Sequence, residues 1–293
     1  MGLTRKYKRI LRYVGAFAGV LVLAGCESGL GLFAPAGPVA QAQQTHLLTI
    51  FWLMQIVIIP VFAGLAFVLW RYRLGSGGTY RPDWASSFLA EIVIWGVPAV
   101  LVGVLGYNLW RDTHDLDPYA PLPGGTPLEV QVVGYDWKWL FLYPQEDVAL
   151  VDRLVLPEGR PVRFKLTSAT VLHSFMIPQL GGQVYAMPNM VTELNLKADM
   201  EGPFRGQNTQ FNGEGFAEHK FDVEVVARDR FAATLAGLTK DAPPLDDAAL
   251  SRLTKREVLP DPITFGQIRT NPFAAAAGPA APASEDLQEA ANE

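Results

Sequence analysis

Apolar residues fall along this chain in two regimes. Between residues 46 and 70 there is no Asp, Glu, Lys or Arg, and between 88 and 110 the only charge is Glu91. A bilayer core about 30 Å thick needs roughly 20 apolar residues at about 1.5 Å rise each. The pattern therefore predicts a hairpin of two transmembrane helices over 46–110, joined by a loop over about 71–87. Pro60 and Pro98 lie inside the spans, where neighbouring helices can satisfy the carbonyls that proline frees. From Pro127 the period changes to two. LEVQVV, WKWLFLY, VRFKLT, TELNLKA and KFDVEVV read as short strands, with Pro and Gly turns between many of them. Such spacing predicts an all-β sandwich or barrel over 127–227.

The flanks complete the layout. Residues 26–45 are rich in Gly, Ala, Pro and Gln and read as a linker, and 111–126 as a Pro- and Gly-rich connector. The tail, 228–293, is expected to hold two short amphipathic helices, at 230–238 and 246–255, and to be disordered after Asn271, where it turns Ala- and Pro-rich and then acidic.

Charge sets the orientation. Arg71, Arg73 and Arg81 sit between the spans with only Asp83 opposing them, whereas Arg111 faces Asp112, Asp115 and Asp117 after the second span. Positive residues stay cytoplasmic, so both ends of the mature chain lie outside, in the periplasm. Trp52, Trp70, Trp84, Trp95 and Trp110 fall in the hairpin, as an aromatic belt requires, leaving Trp137 and Trp139 for the strands. The net charge of −5 argues against nucleic acid as a partner.

Residues 1–25 read as an export signal, with Arg5, Lys6, Lys8, Arg9 and Arg12 ahead of an apolar stretch. Its end, Leu23-Ala24-Gly25-Cys26, resembles the lipobox of bacterial lipoproteins and implies a covalent lipid on Cys26. Cys26 is the single cysteine, so neither an internal disulfide nor a multi-cysteine metal site is open to the chain.

Ordered motifs give the chain a resemblance to subunit II of the haem-copper respiratory oxidases, from about residue 46 to 235. Gly134-Tyr135-Asp136-Trp137-Lys138-Trp139 is similar to the family's aromatic strand, Gly-x-x-Trp-x-Trp. SATVLHSF at 168–175 is similar to its loop ending in His-Ser-Phe/Trp, and PQLGGQVYAMP at 178–188 continues the match. GQNTQFNGEGFAEHKF at 206–221 has the length and glycine placement of its metal loop. The resemblance implies a Greek-key, cupredoxin-like sandwich. In members that oxidise cytochrome c it carries two coppers bridged by two cysteines, with two histidines, a methionine and a glutamate carbonyl completing the set.

Here that set is dismantled. His173 matches the first histidine, but Asn208 and Asn212 stand at the cysteine positions, Gln210 at the glutamate, Phe216 at the second histidine and His219 at the methionine. No alignment restores a thiolate pair, because Cys26 lies beyond both spans. Soft thiolates are what hold copper in an electron-transfer site. The pattern resembles the quinol-oxidising branch, and His173 and His219 are expected to bind no metal. His173 is read as a remnant hydrogen-bonded inside the sandwich.

The same resemblance implies a non-catalytic subunit of a ubiquinol oxidase, holding no cofactor beyond the Cys26 lipid. Subunit I would hold the haems, the catalytic copper and the quinol site. Subunits III and IV would be further partners and cytochrome c would not. Glu91-Ile92-Val93-Ile94-Trp95-Gly96-Val97-Pro98 matches a family pattern whose glutamate sits at a proton-uptake entrance of subunit I. Trp137 and Trp139 are expected to pack at the contact with subunit I. Two rival readings are an electron-accepting subunit of a cytochrome c oxidase, and a lipid-anchored binding module that works without subunit I.

Overall fold

A computed structural model describes residues 31–73 and 86–278. The signal, Cys26, Arg81, Asp83, Trp84 and the acidic end of the tail lie outside the described residues. Helix α1 runs Pro38–Arg71 and helix α2 Phe88–Asp115. Both are long and apolar enough to cross a membrane, and the most apolar window of each is unburied by the chain itself. Their outer ends are tied by an ion pair between His46 Nδ1 and Asp112 Oδ2, with Arg111 Nη2 3.1 Å from Asp112 Oδ1.

Both helices outrun the expected spans. α1 begins within the supposed linker, because Pro38 occupies its first turn, where a missing N–H is harmless. That extension docks on the sandwich: Ala36 N donates to Gln179 O (2.7 Å), Ala40 N to Leu180 O (3.2 Å), and Ala40 is buried. α2 likewise carries the first residues of the supposed connector.

The sandwich has two sheets. The first takes the order β12-β3-β2-β1-β5-β8, from β1 (Leu128–Tyr135), β2 (Lys138–Tyr143), β3 (Val148–Val151), β5 (Pro161–Ser168), β8 (Thr192–Lys197) and β12 (Ile263–Phe265). The second takes the order β4-β10-β9-β6-β7, from β4 (Arg153–Pro157), β6 (His173–Met176), β7 (Val184–Ala186), β9 (Gly202–Asn208) and β10 (Lys220–Val226). β1 pairs β5 in parallel and β4 pairs β10 in parallel, so the chain crosses between sheets rather than meandering. Between them lies a core that includes Trp139, Phe141, Tyr143, Phe164, Phe175 and Phe221.

A boundary at 227 does not bound the sheet. β12 comes from the tail and pairs β3, with Thr264 opposite Leu150. Helices α3 (Phe231–Thr239), α4 (Asp247–Leu253) and α5 (Pro272–Ala277) follow the sandwich, and β11 (Pro244–Leu245) pairs β13 (Gln267–Ile268). A second apolar cluster unites Leu245, Ala249, Leu253, Phe265 and Phe273 with Val133, Leu140, Leu142 and Val151 of the first sheet. This explains β2. A strand exposed on one face alternates apolar with polar, but KWLFLY is buried on both, facing the sandwich core with its aromatics and the tail with its leucines. The expectation of disorder after Asn271 is also corrected as far as Gly278. Asn271 caps α5 by accepting from Phe273 N (2.9 Å), and Thr167 Oγ1 donates to Ala276 O (3.2 Å).

Candidate functional site

The loop between β9 and β10 brings the former copper positions together. His173 opens β6 and is fully buried, as is His219 at the end of the loop. Gly134 makes the room: a Cβ there would lie 2.4 Å from His173 Cδ2. The imidazole centroids are 5.2 Å apart and nearly perpendicular. Trp139 stacks on His219 at 5.0 Å and meets His173 edge-on at 5.7 Å.

Amides occupy the two cysteine positions and fully redefine the site. Asn212 Nδ2 lies 3.1 Å from His173 Nδ1 and 3.0 Å from His219 Nδ1, so one carboxamide donates a proton to each ring. Asn208 ties the strand to the loop. Its Oδ1 accepts from Ser174 N (2.8 Å) and Gln210 N (3.0 Å), while its Nδ2 donates to Gln210 O (2.7 Å). Gln210 thus serves through its backbone, and Phe216 packs its ring against Phe211 at 5.6 Å.

Burial pulls His173 down to about 4, against the opposing pull of Asp136. Burial and the neighbouring His173 pull His219 down to about 3. Both rings are therefore neutral near pH 7, and accepting at Nδ1 places their protons on Nε2. The Nε2–H of His173 donates to Thr170 Oγ1 at 3.3 Å.

These residues do not fit a dinuclear copper centre. The lone pairs a metal would take are engaged by Asn212, no sulfur is within reach, and no group of three His, Cys, Asp or Glu side chains converges among the described residues. Two neutral imidazoles and two amides offer neither a charge nor a nucleophile. The arrangement is a cross-link within the fold.

Two expectations need correction. Trp139 is 0% exposed, so it packs inside the sandwich and presents no surface to another subunit. Trp137 is nearly buried as well. It adopts φ 64°, a left-handed conformation that costs a non-glycine residue about 1–2 kcal/mol. Surroundings hold it there: Nε1 donates to Asn212 O (3.3 Å), Arg256 lies over the ring at 5.3 Å, and Gly215 lies so close that a Cβ would be 2.4 Å from Trp137 Cδ2.

Arg256 belongs to a strap that pattern reading missed. Its guanidinium pairs with Asp136 at 3.3 Å. Lys138, 0% exposed, donates from Nζ to the carbonyls of Lys255 (2.6 Å) and Glu257 (2.9 Å). A lysine in the middle of WKWLFLY was the signal. An ammonium flanked by aromatics on a buried strand must find oxygen acceptors. Glu91 stands apart from this site, exposed in the first turn of α2.

Comparison with known proteins agrees with the geometry. Residues 145–226 match the family described as cytochrome c oxidase subunit II, periplasmic domain. The sandwich is similar to the periplasmic domain of subunit II of the cytochrome oxidase of Bradyrhizobium japonicum, with a TM-score of 0.37 and 23% identity over 39% of this chain and 96% of that one. The chain is 38% identical to cytochrome bo(3) ubiquinol oxidase subunit 2 of Pseudomonas putida, covering 86% of this chain and 80% of the relative. It is 36% identical to the protein of that name from Pseudomonas aeruginosa, covering 88% and 78%, and 37% identical to ubiquinol oxidase subunit 2 of Acetobacter aceti, covering 82% and 79%. With identity at this level across both the hairpin and the sandwich, and amides where a copper carrier keeps its sulfur, the chain belongs to the ubiquinol oxidase subunit 2 family.

Proposed function

We propose that this chain is the non-catalytic subunit II of a bacterial oxidase that takes electrons from ubiquinol, reduces oxygen to water and moves protons outward. Membership of the family makes it a membrane-anchored part of an oxidoreductase complex that includes a subunit I. The carrying observation is Asn212, whose single carboxamide binds both imidazoles and leaves no ligand set for copper. Electrons therefore do not pass through the sandwich. The haems and catalytic copper belong to subunit I, which ubiquinol reaches through the lipid, and no site for cytochrome c is needed. Subunits III and IV complete the assembly.

In this reading the chain braces subunit I, covers its outer surface and lines a proton entrance with Glu91. An ionisable group near the end of a span costs less than the roughly 2.5–3.5 kcal/mol it costs at the centre, and it is retained for a task. The loop after α1 faces the cytoplasm, both ends of the mature chain face the periplasm, and Cys26 carries a lipid that adds to the two spans.

The test is the choice of reductant. The purified complex should consume oxygen rapidly with ubiquinol and negligibly with reduced cytochrome c. The opposite preference overturns the proposal. Replacing Glu91 by Gln should slow turnover of a fully assembled complex, and an unchanged rate and pH dependence removes the proton role.

A further inference from the structure

The loop that lost copper carries a feature that metal binding never required. Phe211 is 72% exposed, more than any other large apolar side chain of the described sandwich. It is not a loose side chain on a loose loop. Asn208 and Asn212 fix the backbone on either side of it, Trp137 Nε1 holds Asn212 O, and Phe216 N donates to Gly213 O at 3.1 Å. Phe216 supports the ring from beneath at 5.6 Å. Val171 and Tyr185 are exposed in the same region. Tyr185 faces Ser174 across the β6–β7 pair, and Thr209 Oγ1 bonds Ser174 Oγ at 2.8 Å. Residues 168–175 and 206–213 contain no Asp, Glu, Lys or Arg.

We propose that this loop is an aromatic docking tip that seats the sandwich on the outer surface of subunit I, with Phe211 as the anchor and Phe216 as its support. The inference rests on the reading of the chain as a subunit II. Position favours this occupant. Thr209 Oγ1 also bonds the Gln183 carboxamide, and the neighbouring Gly182 lies against Gln43 of α1, so the tip hangs on the side of the sandwich that carries the membrane helices. It is thereby continuous with the hairpin that shares the membrane with subunit I. Lipid headgroups fit less well. Interfacial anchors add Lys or Arg to their aromatics, whereas the charges nearest this tip are Glu214 and Glu218. A phenyl ring already held in place loses little freedom on docking, and buried aromatic anchors carry much of the affinity of an interface.

Photo-cross-linking in the native membrane tests the contact. Benzoylphenylalanine placed at position 211 of the full chain should, on irradiation, give an adduct with the haem-bearing subunit. Adducts with lipid alone, or none, overturn the proposal. In parallel, Phe211→Asp should lower the haem recovered with the affinity-purified chain about tenfold, and Phe211→Leu should restore it to within about twofold of wild type. Resistance of the Asp variant to proteolysis checks that the sandwich has folded; if it has not, the cross-link alone decides. Haem recovery at the wild-type level with a folded Asp variant overturns the proposal. A wild-type chain that brings down no haem refutes the subunit reading itself, whereas haem recovery with a negative result at Phe211 refutes only the docking tip.

Discussion

The hairpin and the sandwich use similar apolar residues to opposite ends. Trp95 on α2 is 76% exposed to its surroundings, whereas Trp139 on β2 is sealed among His173, Phe175, His219 and Phe221. The sandwich excludes water by burying its apolar surface against itself, and the hydrophobic effect supplies its stability. The hairpin satisfies its backbone within each helix and leaves its apolar surface for lipid and a partner. Polar groups follow the same division. In the sandwich, Lys138, His173 and Asn208 are buried and bonded to their neighbours. In the hairpin, the His46–Asp112 pair lies at the outer end and Glu91 in the first turn of α2.

The largest effect that would break this contrast is expected at the buried tryptophan. Trp139→Ala should cost about 3–5 kcal/mol, read as a lowered thermal midpoint of the sandwich, because the neighbours cannot collapse onto the cavity. A loss within about 1 kcal/mol would mean that the aromatic cluster is not the core it seems from its packing. In the hairpin, the damaging change is a charge rather than a truncation. Val102→Arg, on an exposed stretch of α2, should cost about 2.5–3.5 kcal/mol of membrane insertion and reduce the integrated fraction of the chain. Normal integration would count against a lipid or helix environment at that position.

The pH profile sharpens the sandwich side. His173 and His219 take protons readily only when the chain is unfolded, near pH ~6.5, since burial holds them at about 4 and about 3 when folded. Their contribution is therefore complete above about pH 6.5 and is lost as pH falls toward 4. Asp152 opposes them. Burial raises its carboxyl to about 7, so its contribution is complete below about pH 4 and is lost as pH rises to 7. Asp152→Asn removes the opposing group, and the variant's thermal midpoint should climb more steeply than that of wild type between about pH 4 and 6.5. Parallel profiles would show that Asp152 is not proton-linked to folding. The smallest effect belongs to the surface. Lys165 and Glu129 pair at 3.0 Å but remain partly exposed, and Lys165→Met should change stability by less than about 1 kcal/mol in the same melts.

Sequence patterning located the elements well and the boundaries less well. Helices expected at 230–238 and 246–255 are found at Phe231–Thr239 and Asp247–Leu253. Their partner was not legible, because a short amphipathic helix announces an apolar face without naming what covers it. The double-sided burial of KWLFLY was the missed complement: β2 is apolar on both faces because the tail lies over one of them. The former copper positions were identified correctly as residues, but Trp139 was placed at a surface it does not reach.

What the linear chain determined by itself is whatever depends on composition and local order. Charge-free runs of bilayer length set the spans, alternation set the strands, and the absence of a thiol beyond Cys26 removed any cysteine-bridged metal. What the tertiary structure decided is whatever depends on residues far apart in the chain meeting. Asn212 could be known as an amide at a cysteine's position, but only folding brings its Nδ2 between His173 and His219. The tail could be seen to alternate, but only packing makes β12 an edge of the first sheet and carries the carbonyls of Lys255 and Glu257 to Lys138. The physical reason is that periodicity reports which side of an element avoids water, whereas hydrogen bonds and close packing are satisfied between elements, where sequence separation carries no information about distance.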